Sequence, residues 1–251
     1  MSLSLTFNSI DLGNYGLIVN HLGLPVAHSS QPIQLRDRSF ASDSFKTPAE
    51  ISTRVAITGG TRAAIFTSLD NIRMALNSQE DETLAFDAFV DRYWLARFDG
   101  LKGAFTSPLL WEGELTFLAF DPLAFATSLT TVAPVAVDAD PFTLPVTTLG
   151  TGLISPIFTL TSNDAPGAAT ITLENDATGD VISWVGTLIA TDDLEIDVEH
   201  WLVKKTTVAS MATVTGVFPR LLPAQVNNII VTGFHTGTHG TIGLTYRNRF
   251  V

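Results

Sequence analysis

The sequence predicts a mainly β protein with one α-helix in its first half and a β-sandwich in its second. Three observations carry this prediction. Short alternating apolar segments, bounded by Gly, Pro, Asn and Asp, recur along the chain as half-buried strands do. One segment alone keeps a helical spacing: Ile65, Leu69, Ile72 and Leu76 fall at i, i+4, i+7 and i+11. From residue 146 to the end no helical period returns, and turn dipeptides cut the chain into strand-length pieces.

Leu3, Leu5 and Phe7 share one strand face, and Asn8-Ser9 and Gly13-Asn14 are turn chemistry. Tyr15-Gly16-Leu17-Ile18-Val19 reads as a second short strand. Ile51, Thr53, Val55 and Ile57 alternate with Ser52, Arg54, Ala56 and Thr58, and Gly59-Gly60 breaks that strand. Thr61 caps the helix and Asn77 ends it. Arg62, Asp70 and Arg73 lie off the apolar stripe, yet the outer face is only mildly polar, which suits a helix covered on two sides. Ser78 to Glu82 is a loop, and strands follow at Leu84–Phe89, Tyr93–Phe98 and Gly113–Phe120, closed by Asp121-Pro122. Leu109, Leu110 and Trp111, beside Pro108, suit a subunit contact.

Residues 131–145 hold Pro134, Pro141 and Pro145 without a helical period and read as a semi-stiff linker. The expected organisation is a first domain at 1–130, that linker, and a β-sandwich at 146–251. Its strands are expected at Ile157–Leu160, Ala169–Glu174, Val181–Val185, Leu194–Val198, Val208–Val217, Ile229–Thr232 and Thr241–Tyr246.

Composition narrows the function. Hydrophobic residues reach 45% while charged residues are sparse at 16%, an apolar excess that belongs in cores and subunit contacts. No apolar run approaches the roughly 18 residues of a membrane span, so no membrane partner is expected. The net charge is -11. An acidic surface repels phosphate, so nucleic acid is not an expected partner, although ten Arg among fourteen basic residues leave room for a basic ring lining. Cysteine is absent, which excludes disulfides, thiolate zinc sites and cysteine nucleophiles. MSLSLTFNSI lacks the pattern of a signal peptide, so general export is not expected.

Each candidate site has a plainer role beside it. His235 and His239, in His-Thr-Gly-Thr-His, are the metal candidates, but a strand would hold them about 13 Å apart and no third ligand lies nearby in sequence. A polar turn is the plainer reading. Asp192, Asp193, Glu195, Asp197 and Glu199 suggest calcium, yet the acids alternate with Leu194, Ile196 and Val198 as a strand with one wet face. No G-x-S-x-G or phosphate loop occurs. The Gly59-Gly60 step into the helix could hold an anion, but a strand-to-helix turn is simpler. Trp184 and Trp201 are the glycan-stacking candidates, with Trp184 read as core because Val181, Ile182 and Val185 flank it. No cofactor, no metal and no catalytic residue is expected.

Phe7-Asn8-Ser9-Ile10-Asp11-Leu12 with Tyr15-Gly16-Leu17-Ile18-Val19 resembles the start of the distal tail protein family of long-tailed bacteriophages. Asp91-Arg92-Tyr93-Trp94-Leu95-Ala96-Arg97-Phe98-Asp99-Gly100 is similar to its strand pair after the helix, and Glu114 to Phe125, with Asp121-Pro122, to the closing strand of its first domain. Gly150-Thr151, Ser155-Pro156-Ile157 and Leu194-Glu195-Ile196-Asp197 resemble parts of its galectin-like domain. Phe218 to Ile229 is similar to a phrase ending in Pro-Gly-x-Asn, here Pro223-Ala224-Gln225-Val226-Asn227, with Ala224 where Gly is usual. Leu244 to Phe250, with Tyr246 and Arg249, resembles the last strand. Pro25 to Lys46 is the least matched zone, which in the family can hold a hairpin reaching a neighbour.

The resemblance implies a barrel-like or sandwich first domain that forms a homohexameric ring, and a galectin-like second domain that projects outward. It implies a structural virion protein at the tail tip, assembled in the host cytoplasm and not an enzyme. The implied partners are the tail tube protein, a tail-tip or fibre protein and the tape-measure protein. The alternative function is a glycan-binding module that recognises a host surface. Fold alone implies no sugar binding.

Overall fold

In a computed structural model the described residues are 3–23, 48–163, 167–234 and 240–251. They form a mainly β-sheet protein, with one α-helix among them, in two compact units that divide between Thr127 and Ser128. Pro25 to Lys46 lies outside the described residues, as do His235 and His239.

The first unit runs β1 (Leu5–Phe7), β2 (Ile10–Asp11), a 3-10 turn (Leu12–Tyr15), β3 (Leu17–Gly23), β4 (Ala49–Thr58), α1 (Arg62–Leu76), β5 (Glu82–Phe86), a 3-10 turn (Asp87–Phe89), β6 (Arg92–Ser107), β7 (Leu110–Ala119) and β8 (Ala124–Ala126). The strands are antiparallel in the order β2-β1-β5-β6-β7-β4-β3, with β8 beside the start of β6. Leu3 adds a single bridge to Val19 of β3, but no strand pairing joins β3 to β2, so the described strands do not make a closed barrel. Ile65, Leu69, Ile72 and Leu76 of α1 are all buried, so the stripe faces inward. The alternation of β4 buries Ile51, Val55 and Ile57, and Phe7 lies 5.4 Å from Phe117 of β7 in the same core.

Three further expectations change here. The strand expected at Leu84–Phe89 ends at Phe86, where the chain turns through Asp87–Phe89. The strand expected at Tyr93–Phe98 continues to Ser107, because after pairing with β5 it pairs with β7 over Arg97–Ser107. Trp111 does not offer a contact surface: it is buried, and its indole rests on Gly103 and Gly113, where any Cβ would collide with it. Leu109 at the hairpin tip remains exposed.

The second unit contains β9 (Thr130–Ala136), β10 (Phe142–Thr147), β11 (Ile157–Ser162), β12 (Gly167–Asn175), β13 (Asp180–Leu188), β14 (Asp193–Asp197), β15 (Leu202–Lys205), β16 (Val208–Ala209), β17 (Val214–Gly216), β18 (Val226–Thr232) and β19 (Gly240–Tyr246). One sheet has the order β10-β18-β12-β13-β17, the other β16-β15-β14-β11-β19-β9. Both sheets feed one core: Ile171, Leu173, Ile182, Trp184, Ile229 and Val231 from the first, Phe158, Leu160, Leu194, Ile196, Ile242 and Leu244 from the second.

Residues 131–145 are therefore not a spacer. β9 pairs with β19, β10 pairs with β18, and Val137 and Leu144 are buried. Pro134 and Pro145 sit in edge strands, where a missing N–H costs no internal ladder bond. The strand expected at Val208–Val217 is broken into β16, a 3-10 turn at Met211–Thr213 and β17, so this segment passes from one sheet to the other. Ser210 holds the crossing: its N–H donates to the Val203 carbonyl, and its Oγ accepts from Trp184 Nε1 at 3.0 Å.

Candidate assembly surfaces

In the first unit, α1 and the tip of the β6–β7 hairpin come together. Thr61 caps the helix by accepting from Ala64 N–H at 3.1 Å, which fixes the direction of its first turn. That turn holds Arg62 and no acid. Gly59 N–H donates to the Leu109 carbonyl at 3.3 Å, tying the hairpin tip to the helix entry. A Cβ on Gly59 would meet Ile65 Cγ1 at 2.9 Å, which gives the Gly59-Gly60 step the role of a tight strand-to-helix turn. The Arg62 guanidinium lies 4.3 Å from the Phe105 ring centre, and Phe105 lies 5.3 Å from Phe66. Phe66 and Leu109 are each 49% exposed, so the result is an apolar patch with one cation held over it.

At the other end of β6 lies a second apolar point of opposite charge. The turn Asp87–Phe89 leads to Val90, which is 83% exposed, and then to Asp91. Asp87 and Asp91 are both exposed. Asp91 Oδ1 accepts from Arg92 Nε at 3.3 Å, and Arg92 sits 5.9 Å from the Phe89 ring centre. A surface pair of this kind contributes little to stability.

Most of the other motif residues hold turns and core. Tyr15 closes the 3-10 turn that Gly16 ends at φ +79, and Asp11 Oδ1 accepts from Gly13 N–H at 2.8 Å. Asp121 Oδ1 accepts from Leu123 N–H at 3.0 Å across Pro122. In the Pro223-Ala224 turn, Ala224 has φ +53, the left-handed region that favours Gly. Asn227 is fully buried beneath it: Oδ1 accepts from Leu222 N–H at 2.8 Å and from Asn175 Nδ2 at 3.0 Å, and Nδ2 donates to the Leu222 carbonyl at 3.0 Å. Tyr246 Oη donates to the Thr147 carbonyl at 2.9 Å, and burial pushes its phenol above the ordinary value. Arg249 is buried and its Nη2 donates to Glu199 Oε2 at 2.7 Å.

The acidic run does not have one wet face. Asp197 is buried and its carboxylate meets His200 Nδ1 at 2.7 Å. Glu195 meets Lys204 at 2.8 Å and Asp192 meets Lys205 at 2.9 Å, both lysines coming from β15, a strand absent from the sequence reading. The Ile189 N–H and then Lys205 hold the Asp192 carboxyl below its ordinary value. Among the described residues no group of three or more His, Cys, Asp or Glu is placed to hold a metal ion. Trp184 is in the core, so its ring offers no face to a ligand. Trp201 is 63% exposed at φ +53 and stacks on Phe218 with ring centres 6.2 Å apart.

The whole chain superposes on the SPP1 Dit protein, described as a paradigm of the hub adsorption apparatus in phages that infect Gram-positive bacteria, with a TM-score of 0.74. The fold is that of SPP1 Dit. The match covers 100% of both chains at 14% sequence identity, so it is a likeness of fold. A chain of the phage P2 baseplate in its activated conformation with Ca aligns over 100% of both chains at 9% identity and a TM-score of 0.49. A chain of the phage p2 baseplate in its activated conformation with Sr aligns over 98% of both chains at 8% identity and a TM-score of 0.45. No protein-family model matches the chain, and no curated protein matches it.

Proposed function

We propose that this chain is a structural virion protein, a distal tail protein that forms a hexameric hub joining the tail tube to the tail-tip or baseplate and host-recognition components. The observation that carries the reading is the end-to-end likeness to SPP1 Dit in chain order and fold. In this reading the first unit makes the ring, and the second is a galectin-like platform that receives tip or fibre proteins. The tape-measure protein ends in the lumen, the complex assembles in the host cytoplasm, and the chain carries no catalysis and needs no cofactor. The apolar composition supports assembly, because a sparse 16% of charged residues leaves wide surface to be covered.

The test is the size and symmetry of the purified chain. Six copies of the 27.0 kDa chain give about 160 kDa by light scattering and a six-fold ring in class averages of stained particles. A chain that stays monomeric alone and also when mixed with its tail tube protein refutes the hub.

One observation favours glycan binding as a second reading: Trp201 presents an open ring beside Phe218 on the second unit. A glycan array decides it. Micromolar binding that Trp201→Ala abolishes supports that reading, and an empty array rejects it.

A further inference from the structure

The geometry points to a head-to-tail contact between copies of this chain, in which the Arg62–Phe66–Phe105–Leu109 patch of one copy receives the Asp87–Val90–Asp91 corner of the next. This rests on the hub reading and deepens it by naming the two faces that meet.

The chain carries a net charge of -11, so two copies repel at long range. A contact between copies therefore needs a local site where a cation meets an acid. Arg62 supplies the cation. Its guanidinium is held over Phe105 at 4.3 Å, so little side-chain freedom remains to be lost on contact. The helix adds to it, since the amino end of α1 carries a positive partial charge and its first turn holds no acid. Phe66 and Leu109 beside it are half exposed and give apolar area to bury.

The Val90 corner is the complement. Val90 is the most exposed large apolar side chain among the described residues, at 83%, and it stands between Asp87 and Asp91. With Arg92 paired to Asp91 at 3.3 Å, the corner keeps one net negative charge beside an open aliphatic side chain, which complements an aromatic patch crowned by a guanidinium.

Position decides the kind of assembly. The corner directly precedes Arg92, the first residue of β6, while Phe105 lies near the other end of that strand. At about 3.3 Å per residue the two are roughly 40 Å apart. One copy therefore cannot satisfy both faces itself. A two-fold dimer could satisfy both only by laying two copies antiparallel along the whole of β6. That would cover the exposed charged side chains of Arg97, Asp99 and Lys102 that lie between the faces, a desolvation cost that the exposed Phe120 beside Arg97 offsets only in part. A heterologous contact needs only one patch and one corner at each junction, and such contacts close into rings or run on as filaments.

The experiment uses the full chain in three forms: wild type, Arg62→Glu, and the double variant Asp87→Lys/Asp91→Lys. All three substituted residues are on the surface, and circular dichroism and melting temperature establish that each form is folded. Analytical ultracentrifugation then reads assembly. Each variant alone is expected to lose the ring, with association at least about ten-fold weaker than wild type, since it sets like charges together at every junction. Mixed one to one, the two variants are expected to regain it. In an alternating ring each junction sets either Arg62 against Asp87 and Asp91, or the Arg62→Glu side chain against the Asp87→Lys/Asp91→Lys pair, and a six-membered ring has an even number of junctions. Leu109→Ser, at the open hairpin tip, checks the apolar half of the contact without adding a charge and is expected to weaken the ring as well. A ring that survives in all of these variants overturns this surface and leaves the hub reading standing. Variants that lose the ring but do not recover it on mixing, or a wild-type chain that stops at two copies, overturn the head-to-tail pairing. A wild-type chain that never assembles, alone or mixed with its tail tube protein, overturns the hub reading, and this contact with it.

Discussion

Replacing Asn227 with Ala is expected to destabilise the second unit by about 3 kcal/mol, nearly all of it from lost hydrogen bonds in a buried turn. Asn227 is fully buried, and its Oδ1 accepts from Leu222 N–H. The same oxygen accepts from Asn175, which is itself buried and whose amide nitrogen also donates to the Arg220 carbonyl. The substitution leaves one buried donor, Asn175 Nδ2, and one part-buried donor, the Leu222 N–H, without this acceptor, at about 1–3 kcal/mol each, less whatever a water in the vacated space recovers. The Leu222 carbonyl loses less, because Thr148 Oγ1 still donates to it at 2.6 Å. Urea unfolding followed by the fluorescence of Trp184, which is in this core, measures the loss, and amide exchange over residues 220–228 localises it. Asn227→Asp adds a signature. It keeps the acceptor but sets a carboxylate against the Leu222 and Gln225 carbonyls, where Nδ2 now donates, so it should recover stability as acid protonates it. A loss under about 1 kcal/mol for Asn227→Ala, with unchanged exchange at Leu222, refutes the idea that this amide holds the turn.

The second unit offers other tests. Ala224→Gly should stabilise it by about 0.5 kcal/mol, because relief of the left-handed backbone at φ +53 exceeds the added freedom of the unfolded chain; urea midpoints measure it. The Asp192 carboxyl is held below its ordinary value of 3.8, first by the Ile189 N–H, so its contribution is full above that value and is lost as pH falls through the folded value. Asp192→Asn should therefore flatten the acid limb of melting temperature against pH between about 5 and 2, leaving the neutral limb unchanged in slope. A fragment of residues 128–251 should fold where one of 146–251 aggregates, because the shorter one lacks β9, most of β10 and the buried Val137 and Leu144; circular dichroism with size-exclusion chromatography distinguishes them.

Periodicity reads the interior well wherever one face alone is buried. The i, i+4, i+7, i+11 stripe of α1, its Thr61 cap and the alternation of β4 all follow from patterns that a single side of burial imposes. It fails where burial is not one-sided. Residues 131–145 look like a linker because edge strands tolerate proline and need few large apolar side chains, which are also the marks of a spacer. Val208 to Val217 looks like one strand because nothing local reveals that Ser210 bonds to Val203 and Trp184 in two different sheets. β15 escapes sequence reading because Trp201 turns at φ +53, a conformation that local sequence rarely signals in so large a residue.

The proposed contact surface is legible in the sequence in one respect only. The outer face of α1 is less polar than a solvated helix requires, and Phe66 and Met74 off the buried stripe make it so. What surrounds that face depends on Phe105 and Leu109, which are far along the chain and arrive only because the β6–β7 hairpin folds back beside the helix entry. Apolar triplets near a proline do not reveal this on their own: of Leu109, Leu110 and Trp111, the largest is buried against Gly103 and Gly113 and the first is open. The alternation of β7 accounts for the difference, since Trp111, Leu115 and Phe117 point into the core while Leu109 precedes the strand and escapes its pleat. Surface chemistry is thus set by where a strand begins, a boundary that pattern reading places least well. Charge is legible only in sum, and a total of -11 conceals the arrangement on which the proposed contact rests: an arginine held over an aromatic ring at one end of β6, and at the other an exposed valine between Asp87 and the Arg92-paired Asp91.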